Sequence, residues 1–133
     1  MTADLARLKT RADFVRVAAG RRRAVRATFV LQAASRPTGD FSGGSVAVGF
    51  TASRKVGNAV VRNRAKRRLR AIAAEVLPRM GRPGTDYVLI ARAMPSEQAY
   101  AELVADLEAA LRQLDRRKGN GGSPGRPRTA EER

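Results

Sequence analysis

Apolar positions recur along this chain with two spacings, every second residue or every third to fourth, and the switches between them mark out its elements. Residues 10–20, "TRADFVRVAAG", place Phe14 and Val17 three apart on one face of a short helix. Thr10 with Asp13 three positions later has the form of a capping box, and Gly20 supplies the stop. The next segment, "RRRAVRATFVLQAAS", turns to a period of two. The β-branched and aromatic residues from Thr28 to Leu31 predict a strand, with Phe29, Leu31 and Ala33 on one face and Thr28, Val30 and Gln32 on the other. After the Pro/Gly-rich loop "RPTGDFSGG", the segment "SVAVGFTAS" predicts a second strand carrying Val46, Val48 and Phe50 on one side and small residues on the other. The short loop between these two strands predicts an antiparallel hairpin.

The helical period then returns. Asn58 is a good N-cap, and Gly57 before it permits a tight turn into the helix. Val61, Ala65, Leu69, Ile72 and Val76 form a core-facing stripe, and Pro78 and Gly81 are expected to end it. "TDYVLIARA" reads as a compact buried strand. "PSEQAYAELVADLEAALRQLDRR" reads as an amphipathic helix capped by Ser96, with Tyr100, Leu103, Val104, Leu107, Leu111 and Leu114 on one face. The order α-β-β-α-β-α predicts a single-domain α+β sandwich, a small sheet packed by helices, over residues 1–118. Its second and third strands, joined through a helix, form a βαβ unit. Residues 119–133 carry almost no apolar side chain and are expected to be a disordered tail.

Charge changes the picture from fold to partner. Against 12 acidic residues stand 27 basic ones, a formal net charge of +15 with a pI near 11.7. That balance calls for a polyanion, and the preference for Arg over Lys suits phosphate and base recognition. With neither Cys nor His, disulfides, thiolate metal sites and histidine general bases are excluded. No apolar run reaches bilayer length and the N-terminal stretch lacks a signal-like segment, so no membrane association and a cytoplasmic location are expected.

The charge concentrates on the second helix. Between Arg54 and Arg70 there are eight basic residues and no acid. Solvated helix faces usually mix signs, because like charges four apart repel by about 0.2–0.5 kcal/mol each. Nothing inside the segment compensates that repulsion, so an external nucleic acid is the economical explanation. A nuclear localisation signal is the poorer reading, since such signals are read in extended form and this one carries a core stripe. A protein-borne nuclease site is also poorly supported: Asp40 and Asp86 are isolated, and Glu102, Asp106 and Glu108 are expected to be solvent-facing charges on the last helix.

The stretch "SRKVGNAVVRNRAKRRLR", with its Arg62-Asn63-Arg64 core, resembles the signature of the bacterial ribonuclease P protein subunit. "RLKTRADF", "FVL" at Phe29–Leu31, "VGFTASRKVGN" and "DYVLIAR" fall in that family's order and spacing, so the resemblance covers about residues 7–114. It implies a subunit of the endoribonuclease particle that removes the 5′ leader from precursor tRNA, with the catalytic groups and most of the bound Mg2+ on the partner RNA. It further implies a left-handed crossover at the basic helix. By the same resemblance, Lys55, Asn58, Arg62, Asn63, Arg64, Lys66, Arg67 and Arg68 contact the catalytic RNA, and Phe14, Val30 and Gln32 line the cleft for the single-stranded leader. No catalytic or metal-ligating residue, and no DNA partner, is implied for the chain itself. Ala18 stands where members often carry a second aromatic, and Gln32 where many carry Tyr. A smaller stacking platform, with hydrogen bonding from Gln32 in partial compensation, is therefore expected. The competing class is a general RNA-binding protein, an RNA chaperone or ribosome-associated factor, for which leader length would not matter.

Overall fold

The computed structural model describes residues 5–8, 10–20, 22–35, 46–82, 84–93 and 98–120. A five-stranded sheet is built from β1 (Leu5–Arg7), β2 (Arg22–Val25), β3 (Phe29–Ser35), β4 (Val46–Ala52) and β5 (Thr85–Ala91), in the order β1-β4-β5-β3-β2. Three helices complete it: α1 (Arg11–Ala19), α2 (Ala59–Met80) and α3 (Tyr100–Asn120).

The α+β class and the predicted sequence of six elements hold, but the predicted hairpin does not. β3 and β4 are not neighbours: β5 lies between them, antiparallel to β3 and parallel to β4. The reason is legible in β5 itself. Every residue of "TDYVLIA" is buried except the half-buried Ile90. A strand that apolar on both faces is stable only in the middle of a sheet. β4, α2 and β5 thus form the expected βαβ unit, and the structure shows its two strands directly paired and parallel. Two further strands have no signal in the hydrophobic pattern. β1 has three residues and β2 has a single buried one, Ala24, so neither carries an alternation to read. Both occupy edges, where short and charged strands are tolerated.

One face of the sheet carries the core. Phe29, Leu31 and Ala33 of β3, Val46 and Val48 of β4, and Tyr87 and Leu89 of β5 meet Leu69, Ile72, Ala73 and Val76 of α2 and Leu103, Leu107 and Leu111 of α3. Most of these side chains are fully buried, each contributing about 1.5–3 kcal/mol relative to exposure. The stripe predicted for α2 is this contact surface, with Val61 only half-buried. α2 does not stop at Pro78 but runs to Met80. A proline in the last turn removes one intrahelical N–H, and Gly81 N then closes the helix on the Leu77 carbonyl at 2.8 Å.

Tyr100 departs from its expected place on the apolar face of α3. It is 46% exposed, and its hydroxyl donates to Glu75 of α2 at 2.8 Å. Burial is therefore not what holds it, and the hydrogen bond to the carboxylate raises its pKa. Of the α3 acids expected to face solvent, Glu102 is exposed, but Asp106 and Glu108 are half-buried in ion pairs. Asp106 pairs with Arg26, Glu108 with Arg79 and Asp115 with Arg82, at 2.8, 2.7 and 2.6 Å. Ser96, Asp40 and the loop at 36–45 fall outside the described residues, as does the tail from 121; α3 itself extends to Asn120, two residues past the expected boundary.

On the opposite face α1 covers part of the sheet. Thr10 caps it, its hydroxyl accepting from Asp13 N at 3.2 Å as the predicted box requires, while the Asp13 carboxylate accepts from the Thr10 hydroxyl at 3.0 Å instead of the Thr10 backbone N–H. Val17 is buried beneath it. Arg16 reaches into the sheet, donating to Asp86 Oδ2 and to the Ser35 carbonyl. Asp86 is only 2% exposed, so this pairing satisfies a carboxylate that would otherwise be costly inside the fold.

Candidate nucleic-acid interface

The approach to α2 is a sequence of small devices that aim the helix. Ser53 caps a single 3-10 turn, Arg54–Val56, by accepting from Lys55 N at 3.3 Å. Gly57 follows at φ 151° and ψ −165°, a region open essentially to glycine alone. Asn58 Oδ1 then accepts from Val61 N at 3.0 Å, the predicted N-cap. Asn58 is thus committed first to the helix end, and its amide nitrogen is the part left for a partner.

From there the basic residues fan around the solvent side of α2. Asn63, Arg64, Arg67 and Arg70 are exposed, while Arg62, Lys66 and Arg68 are half-buried along the margins. At 100° per residue Arg62, Lys66 and Arg70 follow one margin, Arg64 and Arg68 the other, and Arg67 lies between. The sites are not equivalent. Arg68 donates to the backbone carbonyl of Gln98, so it ties α2 to the segment before α3. Arg62 has its Nε buried with no hydrogen-bond partner. Lys55 is exposed in the 3-10 turn, and a shallow depression beside it is lined by Val56, Val61, Arg64, Ala65 and Arg68.

Arg16, Arg26, Arg79 and Arg82 each pair with an acid, and among the described residues no ion pair involves Arg54, Lys55, Arg62, Arg64, Lys66, Arg67 or Arg70. Asp106, Glu108 and Asp115 of α3 pair with arginines beyond the cationic arc and leave these seven side chains without an acidic partner among the described residues. Arg70 instead lies over the ring of Phe50, 5.7 Å from its centroid, and Arg7 of β1 lies 5.9 Å from the same ring. Each such contact is worth about 0.5–1 kcal/mol at an exposed site. Neither Arg7 nor Arg70 is among the RNA contacts that the sequence resemblance implies. Only the parallel pairing of β1 with β4 brings Arg7, opposite Val48, to the edge beside α2.

The three predicted cleft residues share the other face of the sheet. Register places Arg23, Gln32, Val88 and Gly49 in one row across β2, β3, β5 and β4, and Val25, Val30, Ile90 and Thr51 in the next. Phe14 projects from α1 onto the Gly49 end of the first row. A Cβ on residue 49 would lie 2.4 Å from Phe14 Cζ, so the ring rests directly on the glycine backbone. Phe14 is nevertheless only half-buried, packing against the sheet while keeping part of its ring open. Gln32 lies two strands away, about 10 Å at ordinary strand spacing. Val30 and Gln32 are half-buried, Val25 is 51% exposed, and Ala18 is exposed on α1. The result is a partly exposed sheet face beside α1, with the Phe14 ring at one end, apolar Val25, Val30 and Ile90 along one row, and Gln32 and Arg23 at the far side. Arg23 and Ile90 join this face by register alone, and the sequence marks neither, β5 being apolar on both faces.

A family profile described as Ribonuclease P matches residues 3–115. The Ribonuclease P protein component of Paramagnetospirillum magneticum is 50% identical over 114 residues, covering 86% of each chain. That of Ruegeria pomeroyi is 52% identical over 110 residues, covering 80% of this chain and 84% of the relative. Among solved structures, the RNase P protein of Staphylococcus aureus superposes with a TM-score of 0.64 at 25% identity, over 80% of this chain and 93% of that one. That of Thermotoga maritima gives 0.63 at 26%, over 83% and 96%. With the cationic helix and the sheet in the same framework as these relatives, the chain belongs to the ribonuclease P protein family, as a protein subunit of the endoribonuclease whose partner is RNase P RNA.

Proposed function

We propose that the chain works by holding two RNAs on opposite faces of its sheet: the catalytic RNA along the outer surface of α2, and the single-stranded 5′ leader of precursor tRNA in the groove between α1 and the sheet. The observation that carries this reading is the set Arg62, Arg64, Lys66, Arg67 and Arg70, held on a packed 22-residue helix without an acidic partner among the described residues. Mutual repulsion along such a helix is relieved when phosphates replace the counterions. If about six phosphates are neutralised, the log–log salt slope of assembly is near −4.

On the groove side, Phe14 offers a ring for an unpaired base, Val30 and Ile90 an apolar floor, and Gln32 a hydrogen-bonding edge. Mature tRNA has no leader to place there, so the groove favours substrate over product. The chain supplies position and charge rather than reacting groups. Its described acids do not fit a metal centre, because Asp86, Asp106, Glu108 and Asp115 face arginines and no three acids converge. Mg2+ is accordingly assigned to the phosphates of the RNA, and the particle to the cytoplasm. No helix among the described residues is long and apolar enough to cross a membrane.

The test is leader trimming. With the assembled particle at low magnesium, Kd for precursor tRNA is measured as the leader is shortened to a few nucleotides. Affinity is expected to fall as groove contacts are lost, and Phe14→Ala to abolish most of that dependence without altering affinity for mature tRNA. Equal losses for substrate and product would make Phe14 a packing residue only, and independence of leader length would favour a chaperone.

A further inference from the structure

In the Arg7–Phe50–Arg70 cluster only Arg70 belongs to the cationic set assigned to the catalytic RNA; Arg7 and Phe50 are assigned to neither RNA. Its three members come from β1, β4 and α2, elements joined only by the tertiary fold. Both arginines are exposed, and among the described residues neither is paired with an acid. The ring they share is half-buried, packed against the core. Phe50 is therefore a fixed platform, and the two guanidiniums are held at 5.9 and 5.7 Å from its centroid. Two like charges restrained on one ring, with no acid beside them among the described residues, favour an anion between or across them. A guanidinium lying over a ring still presents its N–H edge outward. Two such edges on one platform suit a single anion with several acceptor oxygens.

The position of the cluster selects that anion. Arg62, Lys66 and Arg70 follow one margin of α2 at intervals of four residues, about 6 Å of rise each. Arg70 ends this series and Arg7 continues it across Phe50 onto the β1 edge. The line is contiguous with the α2 surface and lies on the helix-covered side of the sheet, away from the groove of Phe14 and Gln32.

We propose that Arg7 and Arg70, fixed on Phe50, form a phosphate-binding site that carries the docking surface for the backbone of the RNase P RNA from α2 onto the edge of the sheet. This rests on the reading of α2 as the RNA-docking helix, and the experiment separates the two. Binding of the full chain to RNase P RNA is measured across a salt series for the parent, for the double variant Arg7→Gln with Arg70→Gln, for Phe50→Leu, and for Arg64→Gln with Arg67→Gln. The first double variant is expected to weaken assembly at least tenfold at moderate salt and to reduce the salt slope by about one. Phe50→Leu keeps both charges but frees them; it is expected to lose several-fold in affinity with the slope retained. Circular dichroism and melting temperature check folding, and Arg7→Lys with Arg70→Lys, which keeps charge and removes the planar fork, is expected to fall between parent and Gln variant. Parent-like affinity and slope for the Arg7/Arg70 Gln pair, with loss for the Arg64/Arg67 pair, overturns this site alone. Retention by the Arg64/Arg67 pair overturns the α2 reading. A loss confined to precursor tRNA binding by the assembled particle overturns the assignment to the RNase P RNA.

Discussion

Replacing Gly57 by alanine tests the joint that aims the cationic helix. At φ 151° and ψ −165° a side chain is strained by about 1–3 kcal/mol wherever its neighbours lie. The neighbours add to this. A Cβ would sit 2.8 Å from Val61 Cγ1 and 2.9 Å from Val61 Cβ, where carbon atoms ordinarily meet at about 3.5–4.0 Å. A side-chain tip can swing away, but Val61 Cβ is fixed to the first turn of α2. The strain is relieved only by moving the chain before the helix, which draws Asn58 off Val61 N and loses a cap worth about 1 kcal/mol. The expected loss is about 2–4 kcal/mol. For a folded unit of this size that is a fall in Tm of roughly 8–16 °C, read by circular dichroism in thermal and urea unfolding. Gly20→Ala is the matched control: its φ is −71°, and a Cβ there meets only ordinary contacts of 3.5 Å and more. It is expected to be neutral or to stabilise by about 0.4–1 kcal/mol through the unfolded state. If Gly57→Ala melts like its parent, the entry to α2 does not depend on a glycine at that joint and the strain assigned to it is refuted.

Three further outcomes are expected. Gly49→Ala places a Cβ 2.4 Å from the tip of the Phe14 ring, which swings off the sheet; stability should fall little, but leader-dependent substrate affinity should fall as in Phe14→Ala, and an unchanged leader dependence would disconnect the ring from that groove. Arg16→Met removes the arginine that faces the buried carboxylate of Asp86 and should cost roughly 2–3 kcal/mol, less than for a fully buried pair because Arg16 is partly exposed, with an unmoved urea midpoint counting against it. Burial raises the pKa of Tyr87 above its ordinary 10.0, opposed by the N–H of Arg82, which donates to the phenol oxygen at 2.9 Å. The unfolded chain therefore loses this proton first, so the contribution is intact below pH 10 and declines as the pH rises through the raised value; Tyr87→Phe should flatten that alkaline limb in urea unfolding, and an identical limb would place the titration elsewhere.

What was legible in the sequence was local. The capping pair Thr10 and Asp13, the Asn58 cap behind Gly57, the stripe from Ala65 to Val76 and the alternation of Phe29, Leu31 and Ala33 each depend on residues within a turn or two of one another. All are found where periodicity placed them. The cationic arc was legible for the same reason: charge sign and helical spacing fix which side chains share a surface.

Pairing partners were not legible, because nothing local says which strand a strand will meet. A loop between β3 and β4 predicted a hairpin, yet the need to bury β5 on both faces placed it between them. The edge strands β1 and β2 have too few buried positions to carry a pattern, and only the sheet defines them. Strand order then brought together what the sequence keeps far apart: Arg16 with Asp86, Phe14 with Gly49, and Arg7 with Phe50 and Arg70. The sequence by itself determined that this chain carries a cationic helical stretch with no acid between Arg54 and Arg70, since charge and period are properties of neighbours. Only the tertiary structure decided which arginines meet acids and which rings and grooves lie beside the others, since those contacts exist only once distant segments share one core.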